Sequence, residues 1–219
     1  MPRMLPTVLI SLGLLAGAAH AADAPKTWEG LEPRKVKGVD LVYVRPGAKF
    51  SGYRSVLIDR PVEVAFDHDW DPNEGVRSTA RRLSATDLQA IRDEMAAEFL
   101  SVFTDELAKG GYAPVEQSRD DTLRLHAQVA DVYINAPERM EPGRVTSYTL
   151  ESGRATLELE LRDGPTGQLL ARVVDEKTAQ RSGTLQVTNS VTNSADFRLA
   201  VRSWARRLVK ELDALNGKE

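Results

Sequence analysis

The hydrophobic positions along this chain change period several times, and each change marks an element. "LVYV" at residues 41–44 and "YRSVLIDRPVEVAF" at residues 53–66 are dense in β-branched residues and predict strands. The second is broken at Pro61, which cannot donate to a ladder. The period then becomes helical: Leu88, Ile91, Met95, Phe99, Val102 and Leu107 share one face, with Asp93, Glu94, Glu98 and Asp105 mostly off it. Ser84 with Asp87 three residues later is a capping-box signature, and Gly110-Gly111 stops the helix.

Alternation returns afterwards. "YAPVE" from Tyr112 predicts a short strand and "TLRLHAQVADVYI" at residues 122–134 a long one. "GRATLELELRD" and "GQLLARVVDEKTAQ" predict a hairpin, and the stretch 181–194 is a polar segment of Thr, Asn and Ser. A last helix is expected from about Ala195 to Leu215, capped by Ser194, with Asp196 at its positive end and Gly217 beyond its stop. Its apolar stripe is Phe197, Val201, Trp204, Leu208, Leu212 and Leu215. The order strand, helix, strand, strand, hairpin, helix predicts an α+β fold: a mixed, mostly antiparallel sheet of about four or five strands with two amphipathic helices on one face. Residues 53–219 read as one domain, and residues 22–52, with Pro25, Pro33 and Pro46, as an N-terminal arm lying over it.

Composition narrows the function classes. The 219 residues are 42% hydrophobic and 28% charged, ordinary for a globular protein. A net charge of -3 does not point to a nucleic-acid binder. The absence of cysteine removes disulfides, thiolate nucleophiles and thiolate metal sites. The first 21 residues predict a cleaved signal peptide: Arg3, an apolar run over residues 5–17, and Ala19-His20-Ala21 before the cut. That run is too short to span a bilayer, which needs about 20 residues. Leu15-Ala16-Gly17 begins like a lipoprotein box, but Ala18 stands where the lipidated cysteine belongs, so no lipid anchor is expected. The predicted product, starting at Ala22, is periplasmic or secreted.

Candidate chemistry is sparse. Asp163-Gly164-Pro165-Thr166-Gly167 joins two strands rather than a strand and a helix, and Pro165 lacks an N–H, so it predicts a hairpin turn and not a phosphate cradle. Asp67, Asp69, Asp71 and Asn73 copy the start of a calcium loop, but Pro72 replaces the required glycine and Ser78 the bidentate acid. His68 and His126 lack a partner at ligand spacing, and no nucleophile-elbow pattern accompanies them. Glu94 with Glu98, and Glu158 with Glu160, predict solvated faces. The surface that attracts attention is the last helix, where Arg198, Arg202, Arg206 and Lys210 follow at i+4 steps with Arg207 beside them. That row is a solvated face or a patch for an acidic partner: an envelope protein or an anionic envelope component.

"WEGL" at Trp28, "YRSVLIDRPVEVAF" at Tyr53, "LAKGGY" ending at Tyr112, "YINAP" at Tyr133, the stretch 147–179 and "NSADFRLAVRSWARRL" at Asn193 resemble a bacterial family catalogued as domain of unknown function 3313, whose members are secreted proteins and lipoproteins. The resemblance spans almost the whole chain after residue 21. Ala18 departs from it where many members carry a lipoprotein cysteine, and "DHDWD" is not a family feature. The resemblance implies a small periplasmic α+β module of the kind that assists envelope transporters and assemblies, and it transfers no catalytic residue. The expected function is a non-enzymatic binding or accessory module without a cofactor. An envelope-polymer hydrolase would instead need a buried carboxylate or histidine in a cleft, and a small-ligand carrier an apolar cavity between sheet and helices.

Overall fold

Strict alternation in the second half of the chain builds the centre of a sheet. The computed structural model describes residues 27–79, 82–134, 147–149, 153–178, 186–188 and 190–217. In chain order the elements are β1 (Glu32–Pro33), β2 (Leu41–Val44), β3 (Ser55–Ile58), β4 (Glu63–Phe66), α1 (Ala85–Lys109), β5 (Ala113–Pro114), β6 (Thr122–Ile134), β7 (Ser147–Thr149), β8 (Gly153–Asp163), β9 (Leu169–Thr178), β10 (Gln186–Thr188) and α2 (Ser190–Leu215). The main sheet runs β1-β2-β9-β8-β6-β3-β5, with β4 also paired to β6. The β6–β8, β8–β9, β9–β2 and β2–β1 pairs are antiparallel; β3 and β4 lie parallel to β6, and β5 parallel to β3. β7 and β10 form a separate two-stranded ribbon.

The fold class is α+β with a mixed sheet and two helices, but the sheet holds eight strands rather than four or five. Two features account for the excess. Residues 27–52 do not merely lie over the domain; they contribute β1 and β2, and β2 pairs with β9 from Leu41↔Val174 to Val44↔Ala171. The interruption around Pro61 turns one predicted strand into β3 and β4, placed end to end along the same edge of β6. β5, two residues of the short strand expected from Tyr112, pairs parallel with β3.

The helix-facing side of the sheet is apolar. Leu125 lies opposite Leu161, Ala127 opposite Leu159 and Val129 opposite Leu157, so one face is a continuous hydrocarbon surface. Phe99, Phe103 and Leu107 of α1 and Val201, Trp204 and Leu208 of α2 pack on it. The other face carries Arg124, His126, Glu158, Glu160 and Arg172, with a small second cluster of Leu31, Tyr43 and Leu169 at the β1–β2 end.

α1 begins as its sequence predicts: the Ser84 hydroxyl accepts from Asp87 N, and the Asp87 carboxylate accepts from Ser84 N at 2.7 Å. α2 begins at Ser190, several residues before the expected Ser194 cap. Ser, Thr and Asn have weak intrinsic helix preference, and tertiary packing overrides such preference readily. The two helices run parallel, because Glu98 meets Arg198 and Glu106 meets Arg206.

Candidate functional site

α2 packs most closely against α1 and crosses the sheet near β8, so the helix-facing side of β9 and β2 is not sealed by a helix. Alternation directs Ala171, Val173 and Asp175 of β9 to that side, beside Leu157, Leu159 and Leu161 of β8 and Val42 and Val44 of β2. Residues 34–40 pass over them as a strap and contribute Arg34, Val36 and Val39. Trp204, Arg207, Leu208, Glu211, Leu212 and Leu215 of α2 form the opposite wall, and Phe50 closes one side. The result is an apolar slot with a cavity volume of about 80 Å³.

Polar groups meet the slot in two places. Asp175 lies on its floor and is 3% exposed. Its Oδ2 accepts from the Trp204 indole Nε1–H at 2.9 Å and pairs with Lys177 Nζ at 2.7 Å, while Oδ1 accepts from Asp40 N at 3.2 Å. Asp40 in turn accepts from Glu176 N at 2.8 Å. One carboxylate thus ties strap, sheet and helix together, with a donor on each oxygen. Three of the roughly four acceptor sites of this carboxylate are taken by the protein's own donors. Arg34, Arg207 and Glu211 stand at the rim. Gly38, at φ +76°, turns the strap in the left-handed region, and a Cβ there would stand 3.1 Å from Arg207 Nη2. The Arg207 guanidinium therefore rests on the Gly38 backbone.

The basic row on α2 divides. Arg198 makes a bidentate pair with Glu98, at 2.5 and 3.0 Å. Arg206 Nε donates to Glu106 Oε2 at 2.7 Å, Lys109 Nζ lies 3.0 Å from Glu106 Oε1, and Arg202 Nε stands 3.5 Å from that same oxygen. Glu106 is buried among them. Arg206 and then Lys109 hold its carboxyl below the ordinary range, and Arg198 does the same to Glu98. Three arginines of the row thus bind the two helices to each other, whereas Arg207 faces the slot and Lys210 is exposed. Nearby, Tyr112 donates to Asp213 at 2.9 Å and accepts from Asn216 at 3.0 Å; burial above all pushes its hydroxyl up to about 12.

The remaining sequence candidates have structural partners. Asp163 accepts from the Tyr53 hydroxyl at 2.7 Å and from Thr166 N at 3.0 Å, and Gly164 N donates to Thr122 O at 2.9 Å, so the 163–167 turn docks on the start of β6. In the acidic loop Asp67 is turned to Arg154, which pulls its carboxyl down. Asp67 and Asp71 also cap Asp69 N and Asn73 N at 2.8 Å each, and Asn73 brackets the backbone of Leu83. His126 lies 3.4 Å from Asp59 on the open face, where Arg124 also meets Asp59 at 2.6 Å. His68 is fully exposed beside Asp69. No group of three metal-ligating side chains occurs among the described residues. Sequence reasoning missed Asp175 and Glu106. The signal was an acid on an otherwise apolar face: Asp175 follows Val173 at the strand period, and Glu106 follows Phe103 at the helical one.

An eight-stranded mixed sheet with one face covered by two parallel helices, and an arm strapped over its edge, defines a small α+β module. The chain belongs to the DUF3313 family, "Protein of unknown function", whose model matches residues 21–208. No curated protein matches it. Among solved structures it is similar to the PelC dodecamer of Paraburkholderia phytofirmans, at 14% identity over 76% of this chain and 95% of that one, with a TM-score of 0.38. It is similar to a minor lipoprotein from Acinetobacter baumannii, at 11% identity over 74% and 94% of the two chains, TM-score 0.35. A DUF330 protein from Xanthomonas campestris is similar at 14% identity over 80% and 91%, TM-score 0.39. No helix among the described residues is long and apolar enough to cross a membrane.

Proposed function

We propose that this protein is a non-enzymatic binding module of the bacterial cell envelope, periplasmic or secreted, and that it holds the apolar end of a small ligand in the slot between the strap, β9 and α2. The observation that carries the reading is the slot itself. Protein interiors are close-packed, yet here a surface of valines and leucines between sheet and helix is left open to a cavity of about 80 Å³. That is below the ~300–1,000 Å³ of pockets that enclose a drug-sized molecule, so it suits one end of a ligand. The buried acid beside it is held by three donors, which supports binding over acid–base chemistry. The signal-peptide pattern of residues 1–21 supports the location.

The test uses N-phenyl-1-naphthylamine, a neutral probe that fluoresces in apolar surroundings. Wild type is expected to give a saturable rise. Val173→Phe, which fills the slot from its floor, is expected to lose it while keeping a cooperative melt. An equal rise in both proteins would show that the probe binds elsewhere and would overturn the reading.

A further inference from the structure

The slot has a polarity beyond its apolar lining. Arg34 of the strap and Arg207 of α2 both line the slot. On the same helix, Arg198, Arg202 and Arg206 are each beside a carboxylate of α1. Arg34 and Arg207 have no carboxylate within salt-bridge distance among the described residues. Lys35 and Lys37 flank Val36 on the exposed side of the strap. The acids nearby are Asp175, Asp40 and Glu211. Asp175 is matched by Lys177, and Asp40 caps Glu176 N, so Glu211 is the one rim carboxylate set against this group of cations.

We propose that the slot's ligand is a free, single-chain anionic amphiphile. Its hydrocarbon tail enters along Val36, Val173 and Leu208, and its phosphate or carboxylate head is held at the mouth by Arg34 and Arg207. This rests on the binding reading above and adds the ligand's chemistry. Two arginines lining one slot suit a planar or tetrahedral oxyanion better than a neutral head. A volume of about 80 Å³ corresponds to roughly six water-sized positions, so the slot takes about six to eight carbons of chain. A lipid still seated in a bilayer fits the surface less well. Docking on a membrane needs a broad apolar face, and the exposed large hydrophobic residues described are Leu199 and Leu215, at distant positions on α2.

The test is calorimetric titration of the full-length mature protein with hexyl, octyl, decyl and dodecyl phosphate below their critical micelle concentrations, with the matching neutral alcohols, and with vesicles of anionic phospholipid. Affinity for the phosphates should rise about fourfold per methylene and level off near eight carbons. Each phosphate should bind at least tenfold more tightly than its alcohol, and the difference should shrink as salt rises. Arg34→Gln with Arg207→Gln should remove that difference by bringing each phosphate's affinity down to that of its alcohol; Val173→Phe, and separately Val36→Trp on the exposed strap, should abolish binding of both. Equal binding of alcohol and phosphate would overturn the anionic head and leave the binding reading standing. No binding of either would overturn both. Binding to vesicles without binding of the free phosphates would overturn the free-amphiphile assignment.

Discussion

Trp204 joins the core to the slot, and its replacement separates two contributions. The side chain is 4% exposed, and its Nε1–H donates to Asp175 Oδ2 at 2.9 Å. In Trp204→Phe the ring stays in the core and the donor goes. Asp175, itself 3% exposed, keeps Lys177 and Asp40 N but loses one of its three partners. A hydrogen bond to a charged group contributes about 1.5–3 kcal/mol, and the smaller ring adds a fraction more. In Trp204→Ala the packing goes as well, which costs about 3–5 kcal/mol. For a domain of this size each kcal/mol moves the melting midpoint by about 2–4 °C. Trp204→Phe should therefore melt about 3–12 °C below wild type and Trp204→Ala lower still. Urea unfolding followed by far-ultraviolet circular dichroism measures both without relying on the removed fluorophore. A Trp204→Phe protein within 0.5 kcal/mol of wild type would refute the buried Trp204–Asp175 bond. A harmless Trp204→Ala would refute the placement of α2 on the sheet.

Other outcomes follow from the ion pairs, the turn and the N-terminus. Because Arg206 and Lys109 hold the Glu106 carboxyl below its ordinary value, its contribution is fully present above about pH 4.5 and is lost as pH falls through the lower folded value. Glu106→Gln should cost about 1–2 kcal/mol at pH 7, toward the low end because Arg206 and Lys109 are two-thirds exposed, and the deficit should shrink in melting curves as pH falls below about 4.5. A deficit that persists unchanged in acid would mean the loss is packing rather than charge. Gly164→Ala would bring a Cβ within 2.6 Å of Thr122 O, a backbone atom, and should destabilise by about 1–3 kcal/mol; an unchanged urea midpoint would refute the docked turn. Edman sequencing of the exported protein should begin at Ala22, and an intact Met1 would contradict the signal peptide.

Local pattern foretold the parts of the fold that are held locally. β6, β8 and α1 have the limits that alternation and capping imply, because a long strand with one apolar face and a helix with a capping box each declare themselves within a dozen residues. β1 did not declare itself, since two residues have no period and its identity comes from a neighbour. The basic row was visible as i+4 steps on α2, but its partners Glu98 and Glu106 lie about a hundred positions earlier on α1. The slot was hidden for the same reason. Asp40 reaches Asp175 across 135 positions, and only the folded arm makes a wall opposite α2. An acid on an apolar face was the one local trace of either arrangement.

The slot is tested most directly by methyl-resolved NMR of valine- and leucine-labelled protein titrated with octyl phosphate. Binding there predicts saturable shifts at Val36, Val39, Val173 and Leu208, with Leu199, exposed on α2 and not among the slot's lining residues, unmoved. Shifts confined to Leu199, or none at concentrations that saturate the calorimetric signal, would place the ligand elsewhere and contradict the account.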